Sequence, residues 1–195
     1  EYLRETFYKP MGLTTLSFNP MDRFPMSRIM PTEYDTSFRN QVIRGYVHDP
    51  GAAMLGGISG HAGLFSDAFD LAVILQMILN YGEYGGKQYL LPSTILEFTR
   101  KQFPGDESRR GMGFDKPMPE YDPDGPTCEA TSTSSFGHAG FTGTYMWADP
   151  TNGLTYVFLS NRIYPDAANP KISRMNIRTN IHQKMYEIIN KEIGK

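Results

Sequence analysis

The stretch from Phe141 to Ser160 constrains the fold more than any other. Phe141 to Ala148 reads as a strand, and Asp149-Pro150-Thr151-Asn152-Gly153 follows with an Asn-Gly step, a strong hairpin signal. Leu154 to Ser160 then returns as a second strand. Leu154, Tyr156 and Phe158 fall on one face of it and Val157 and Leu159 on the other. Apolar residues on both faces predict a strand that is central in its sheet.

Helical patterns surround this hairpin. Residues 2–8 read as the end of an amphipathic helix, stopped by Lys9-Pro10-Met11-Gly12. Thr14 to Phe18 suits a short strand. Residues 19–64 show no regular period and read as loop, broken by Pro20, Pro25, Pro31 and Pro50. Its aromatic and apolar residues predict that this loop packs in an ordered way. Ser66 then serves as the expected N-cap of a helix whose buried face is Leu71, Ile74, Leu75, Ile78 and Leu79. Gly85-Gly86 turns the chain, and Pro92-Ser93 opens a further helix with Ile95, Leu96 and Phe98 as its apolar side. Residues 104–135 read as loop, and roughly 171–193 as a helix with Ile177, Ile181, Met185, Ile188 and Ile189 along one stripe. The order predicts an α/β protein of the α+β type, an antiparallel sheet flanked by helices.

Composition narrows the partners. The 195 residues are enough for one domain with a real core. Net charge is −2 without a basic run, which argues against nucleic acid. No apolar run approaches the roughly 20 residues that span a bilayer. Cys128 is the only cysteine, sits in a polar loop and reads as incidental. The chain opens at Glu1-Tyr2-Leu3-Arg4 inside a helical pattern, so it is expected to be a piece of a longer protein.

Gly-His-Ala-Gly occurs twice, at 60–63 and 137–140. The first copy precedes a helix in a glycine-dense loop, which suits a structural or supporting role for His61. The second sits at the start of a strand, where His138 can reach a groove and exchange a hydrogen bond near neutral pH. His48-Asp49 reads as two separate loop hydrogen bonds. The histidines have no zinc-ligand spacing and there is no phosphate-binding Gly-x-x-x-x-Gly-Lys-Ser/Thr, so neither metal nor cofactor is expected. Gly57-Ile58-Ser59-Gly60-His61 is similar to a nucleophile elbow but lacks its final glycine.

Several segments together resemble the C-terminal part of a serine β-lactamase-like hydrolase, the family of class C β-lactamases, penicillin-binding DD-peptidases and related esterases. They are Tyr8-Lys9-Pro10-Met11-Gly12-Leu13, Gly45 to Pro50, Leu55 to Ser66, the hairpin and the terminal helix. His138-Ala139-Gly140 matches the Lys-Thr-Gly or His-x-Gly element that lines one wall of that family's site. By this match His138 supplies hydrogen bonding and positive field, and the Phe141 N–H is an oxyanion donor. Gly140 allows close approach, while Ala139, Thr142, His61 and Asp49 are the expected substrate contacts. Ala139 in place of Thr favours an ester, peptide or amide substrate over an antibiotic.

The family's Ser-x-x-Lys nucleophile motif and its Tyr-x-Asn motif are both absent from this sequence. The resemblance therefore implies one incomplete domain over 1–195, inactive alone, whose partner is the missing N-terminal half. The surface that half would cover implies self-association or dependence on a partner. A periplasmic or cell-envelope location follows from the same resemblance. The competing readings are a non-catalytic module that binds cell-wall peptides and the accessory domain of a family 3 β-N-acetylglucosaminidase.

Overall fold

The computed structural model describes residues 1–103, 105 and 108–193. Pro104, Asp106 and Glu107, within the stretch read as loop, lie outside the described residues. The chain forms two compact units. The first comprises Glu1–Asp70, Phe141–Thr144 and Leu159–Pro170. The second comprises Leu71–Gly140, Tyr145–Phe158 and the chain from Lys171 onward.

In chain order the first elements are β1 (Ser17–Phe18), β2 (Pro31–Asp35), β3 (Gln41–Arg44), α1 (Pro50–Met54) and β4 (Leu64–Phe65). They are followed by α2 (Ala68–Leu79), β5 (Glu83–Tyr84), β6 (Lys87–Gln88) and α3 (Pro92–Thr99). The last are β7 (Phe136–Ala139), β8 (Tyr145–Asp149), β9 (Leu154–Phe158), α4 (Lys171–Arg174) and α5 (Ile177–Ile193). Every strand pair among the described residues is antiparallel, which agrees with the fold class read from the sequence.

In the first unit, the segment expected to be loop contains the β2–β3 hairpin and the short α1. Its polar register conceals it: Tyr34 lies opposite Val42, but Asp35 faces Gln41 and Pro31 faces Arg44. The charges are used internally. Arg39 pairs with Glu33 at 2.6 Å and Asp35 at 2.7 Å, and donates to the carbonyls of Val47 and His48. That guanidinium, with nearby backbone N–H groups, holds the Asp35 carboxyl well below the usual carboxylate range. The cap of α2 also differs from expectation. Asp67, not Ser66, accepts the Asp70 N–H at 2.9 Å. The Ser66 hydroxyl turns to the Asp67 carbonyl instead, and Asp70 is buried against the Thr15 N–H and hydroxyl, each at 2.6 Å.

In the second unit, β7, β8 and β9 form a three-stranded sheet in that order. The strand expected from Phe141 begins only at Tyr145, because residues 141–144 make the turn out of β7. Among the described residues the following strand is an edge, not the centre: β8 is flanked on both sides, and in β9 only Tyr156 is buried. The core lies on one face of the sheet, where Tyr145, Trp147 and Tyr156 cluster. Trp147 is fully buried, stacks on Tyr145 at 5.6 Å, and donates its indole N–H to Ser135 Oγ at 2.9 Å. A Trp with that polar handle satisfied supplies both burial and orientation.

The terminal helix is split at Asn176, which adopts a left-handed φ of 48°. Its expected aliphatic stripe does not form the core contact: Ile181, Met185 and Ile188 are exposed. The buried side is His182 and Tyr186, one turn apart. His182 stacks on Tyr156 at 4.6 Å, and Tyr186 donates to Asp149 at 2.5 Å. An aromatic sheet face therefore selects the aromatic face of the helix. In α3, likewise, Ile95 is buried while Leu96 and Phe98 are exposed. Cys128 is buried beside Thr131, and burial pushes its thiol up, away from the reactive thiolate.

Candidate functional site

The candidate residues divide between the two units, with the chain crossing from one to the other after Gly140. In the second unit, His138 and Ala139 occupy the end of β7, paired with Met146 and Tyr145 of β8. The opposite edge of β7 is partly covered by Asp115, which exchanges two backbone hydrogen bonds with Gly137 at 2.7 and 3.1 Å. Gly137 itself has no alternative: a Cβ there would strike the Met146 carbonyl and the Trp147 ring.

His138 is exposed, and its two ring nitrogens have distinct partners. Arg110 Nη1 lies 3.2 Å from Nε2, and the Ala139 carbonyl lies 2.8 Å from Nδ1. A guanidinium can only donate and a carbonyl can only accept. The arrangement therefore puts the lone pair on Nε2 and the proton on Nδ1. Arg110 brings its guanidinium charge to this ring. The carboxylate of Asp115 organises this edge, with Arg109 Nε at 2.7 Å and Arg110 Nη1 at 3.6 Å.

In the first unit, Phe141 and Thr142 lie in the turn. Arg162 Nε donates to the Phe141 carbonyl at 2.7 Å and the Arg162 N–H to the Thr142 carbonyl at 2.9 Å. The Arg162 guanidinium sits 4.4 Å from the Phe141 ring centroid, and His48 stacks on that ring at 4.9 Å. Arg39 fixes the His48 backbone, so the β2–β3 hairpin indirectly positions this stack. The carbonyl side of the turn is thus tied down. Among the described residues, the Phe141 N–H has no acceptor.

His61 and Asp49 do meet, also in the first unit. Asp49 caps α1 by accepting the Ala52 N–H at 2.7 Å, and the same oxygen lies 3.0 Å from His61 Nε2. His61 Nδ1 lies 2.8 Å from Ser59 Oγ. The Ala52 N–H and, next, His61 lower the Asp49 pKa. This Ser59–His61–Asp49 relay has the order of a catalytic triad, but His61 is exposed, Ser59 and Asp49 are only half-buried, and Asp49 is already committed to a helix cap. Its geometry closes a loop. His48 and Asp49 have separate partners, as the sequence reading expects: His48 Nε2 lies 3.4 Å from Glu33. Arg110, Arg162 and the stacking of His48 have no local signal in the sequence, because their partners are distant along the chain.

No group of three or more His, Cys, Asp or Glu side chains able to hold a metal occurs among the described residues. Among them no helix is long and apolar enough to cross a membrane.

Known proteins show what this architecture is. A protein named "Putative D-alanyl-D-alanine carboxypeptidase" from Salmonella gallinarum is 37% identical over 189 residues. That alignment takes in 88% of this chain and 42% of the relative, so the chain spans less than half the length of this curated protein. A β-lactamase structure from Mycobacterium bovis matches with a TM-score of 0.59 at 21% identity, over 96% of this chain and 55% of that one. A penicillin-binding protein homologue from Caulobacter crescentus matches with a TM-score of 0.52 at 23% identity, over 82% and 45%. These structures establish the fold. With the family model described as Beta-lactamase matching residues 1–176, the chain belongs to the beta-lactamase family.

Proposed function

We propose that this chain is the C-terminal part of a serine hydrolase that performs acyl transfer through a serine ester, and that it carries one wall of the site without the nucleophile. The observation that carries this reading is the state of His138. It is the penultimate residue of β7, keeps its Nε2 lone pair toward Arg110, and stands in a His-Ala-Gly sequence that resembles the family's Lys-Thr-Gly or His-x-Gly element. In the proposed mechanism, the Phe141 N–H stabilises the oxyanion of the tetrahedral intermediate. Such a donor contributes about 3–4 kcal/mol to the transition state. His138 and Arg110 present a polar, cationic edge to an anionic substrate group. A peptide ending in a free D-alanine carboxylate fits that edge, and the carboxypeptidase name of the Salmonella relative supports this substrate class. Such a substrate would place the protein in the cell envelope.

The sequence encoded before Glu1, joined to this chain, provides the test. The reading requires a Ser-x-x-Lys there and release of D-alanine from an N-acylated D-alanyl-D-alanine dipeptide by the joined protein. The 195-residue chain alone should release none. A joined protein that lacks Ser-x-x-Lys yet binds the dipeptide without cleaving it would replace this reading with the binding module.

A further inference from the structure

The second unit contains a groove at the end of its sheet away from His138. Phe136, which lines it, pairs with Ala148 next to the β8–β9 turn, whereas His138 lies toward the β7–β8 turn. Its volume is about 510 Å³, inside the range of about 300–1,000 Å³ usual for small-molecule sites. One part is aliphatic, formed by Ile78 and Leu79 of α2 and Ile95 and Leu96 of α3. The other part holds Ser134, Thr151 and Lys116. No Asp or Glu lines the groove, while Arg100, Lys101 and Lys116 do.

Lys116 is the unusual member. It is 7% exposed, and its ammonium has three protons to donate. Among the described residues Nζ makes one hydrogen bond, 2.9 Å to the Ser134 carbonyl, and no carboxylate lies within ion-pair distance. Asp149 is nearby, but Ser132, Thr151 and Tyr186 already occupy both of its oxygens. Arg100, by contrast, is forked onto Glu97 at 2.6 and 2.7 Å. Burial lowers Lys116 to about 8, so the ammonium is retained at neutral pH at a cost that a bound anion would relieve. A buried ammonium beside an aliphatic slot is complementary to an anion with an apolar tail.

We propose that this groove binds an amphiphilic monocarboxylate, with the carboxylate on Lys116 and the alkyl or aryl tail between α2 and α3. The ligand site is separate from the wall proposed above and does not depend on that reading.

Decanoate below its micellar concentration, titrated into this chain by calorimetry, tests the proposal, with decanol as the uncharged control. Saturable decanoate binding is expected, at least tenfold tighter than decanol. Lys116→Met should remove that difference. Leu96→Asp, at an exposed position, should weaken decanoate at least tenfold without changing the melting temperature. In the unmodified chain, decanoate should slow acetylation of Lys116 at least tenfold relative to the other lysines, a readout that needs no variant. Equal binding of decanol and decanoate, absence of saturable binding, or unprotected Lys116 would overturn the proposal.

Discussion

The two Gly-His-Ala-Gly segments have the same four residues and opposite surroundings. In the first, His61 spans two side chains of its own unit, Ser59 and Asp49, and holds a loop closed. In the second, His138 stands at the end of a strand and faces the Arg110 guanidinium. The glycines differ as well. Gly60 has open space around it, while Gly63 has φ of 112° and its Cβ position is blocked by the Gly57 carbonyl. In the second copy the first glycine, Gly137, is packed against Trp147. A glycine with no room for a side chain therefore follows the histidine in the first copy, and one precedes it in the second. A short motif specifies a set of groups; the backbone around it determines what they do.

The largest expected difference between the copies is catalytic. In the protein joined to its nucleophile-bearing part, His138→Ala should lower turnover of the acylated dipeptide about 100-fold or more, within the span of a lost proton-handling or oxyanion group. Unfolding free energy should change by no more than about 0.5 kcal/mol, as for a surface substitution. His61→Ala should leave turnover within a few-fold. The opposite ranking would exchange the roles of the two copies.

A third histidine sharpens the contrast by showing what burial does. Desolvation among the Tyr145, Tyr156 and Tyr186 rings pushes His182 down to about 4, with the Asp149 charge opposing it. The unfolded ring takes its proton near pH 6.5, so the unfolded state binds more protons between the two values. Stability is present above pH 6.5 and is lost as pH falls toward 4, by about 3 kcal/mol from this residue. His182→Phe should flatten that part of the stability profile measured by urea unfolding. An unchanged slope would show that other groups carry it.

The glycines separate the copies by a smaller margin. Gly137→Ala should destabilise by about 1–3 kcal/mol through overpacking against Trp147. Gly60→Ala should stay within about 0.5 kcal/mol. Equal costs would break the structural distinction. The smallest effect is local: His61→Ala should raise the Asp49 pKa in an NMR carboxyl titration, since His61 is one of the groups lowering it.

The sequence was readable where local pattern and tertiary contact agree. The β8–β9 hairpin carries its own turn signal, and His138-Ala139-Gly140, which resembles a His-x-Gly element, is contiguous. It was misleading where two patterns compete. The last helix offers an aliphatic stripe through Ile181, Met185 and Ile188 and a second face through His182 and Tyr186. Hydrophobicity alone ranks the aliphatic stripe first, but Tyr145, Trp147 and Tyr156 on the sheet stack with the other. The β2–β3 hairpin was hidden because its strands are held by Glu33, Asp35 and Arg39 rather than by alternating apolar residues. The partners that define the candidate site, Arg110 on His138 and Arg162 on Phe141, are 28 and 21 residues away. No local window contains them.

The central claim is that this chain supplies a wall of a serine hydrolase site and not its nucleophile. Labelling with a fluorophosphonate or a fluorescent penicillin, mapped by peptide mass spectrometry, tests it most directly. No adduct is expected on the 195-residue chain, and in the joined protein the adduct should fall on the serine of an upstream Ser-x-x-Lys. An adduct at Ser59, beside His61 and Asp49, or at Ser66 would contradict the claim and make the first Gly-His-Ala-Gly segment the reactive one.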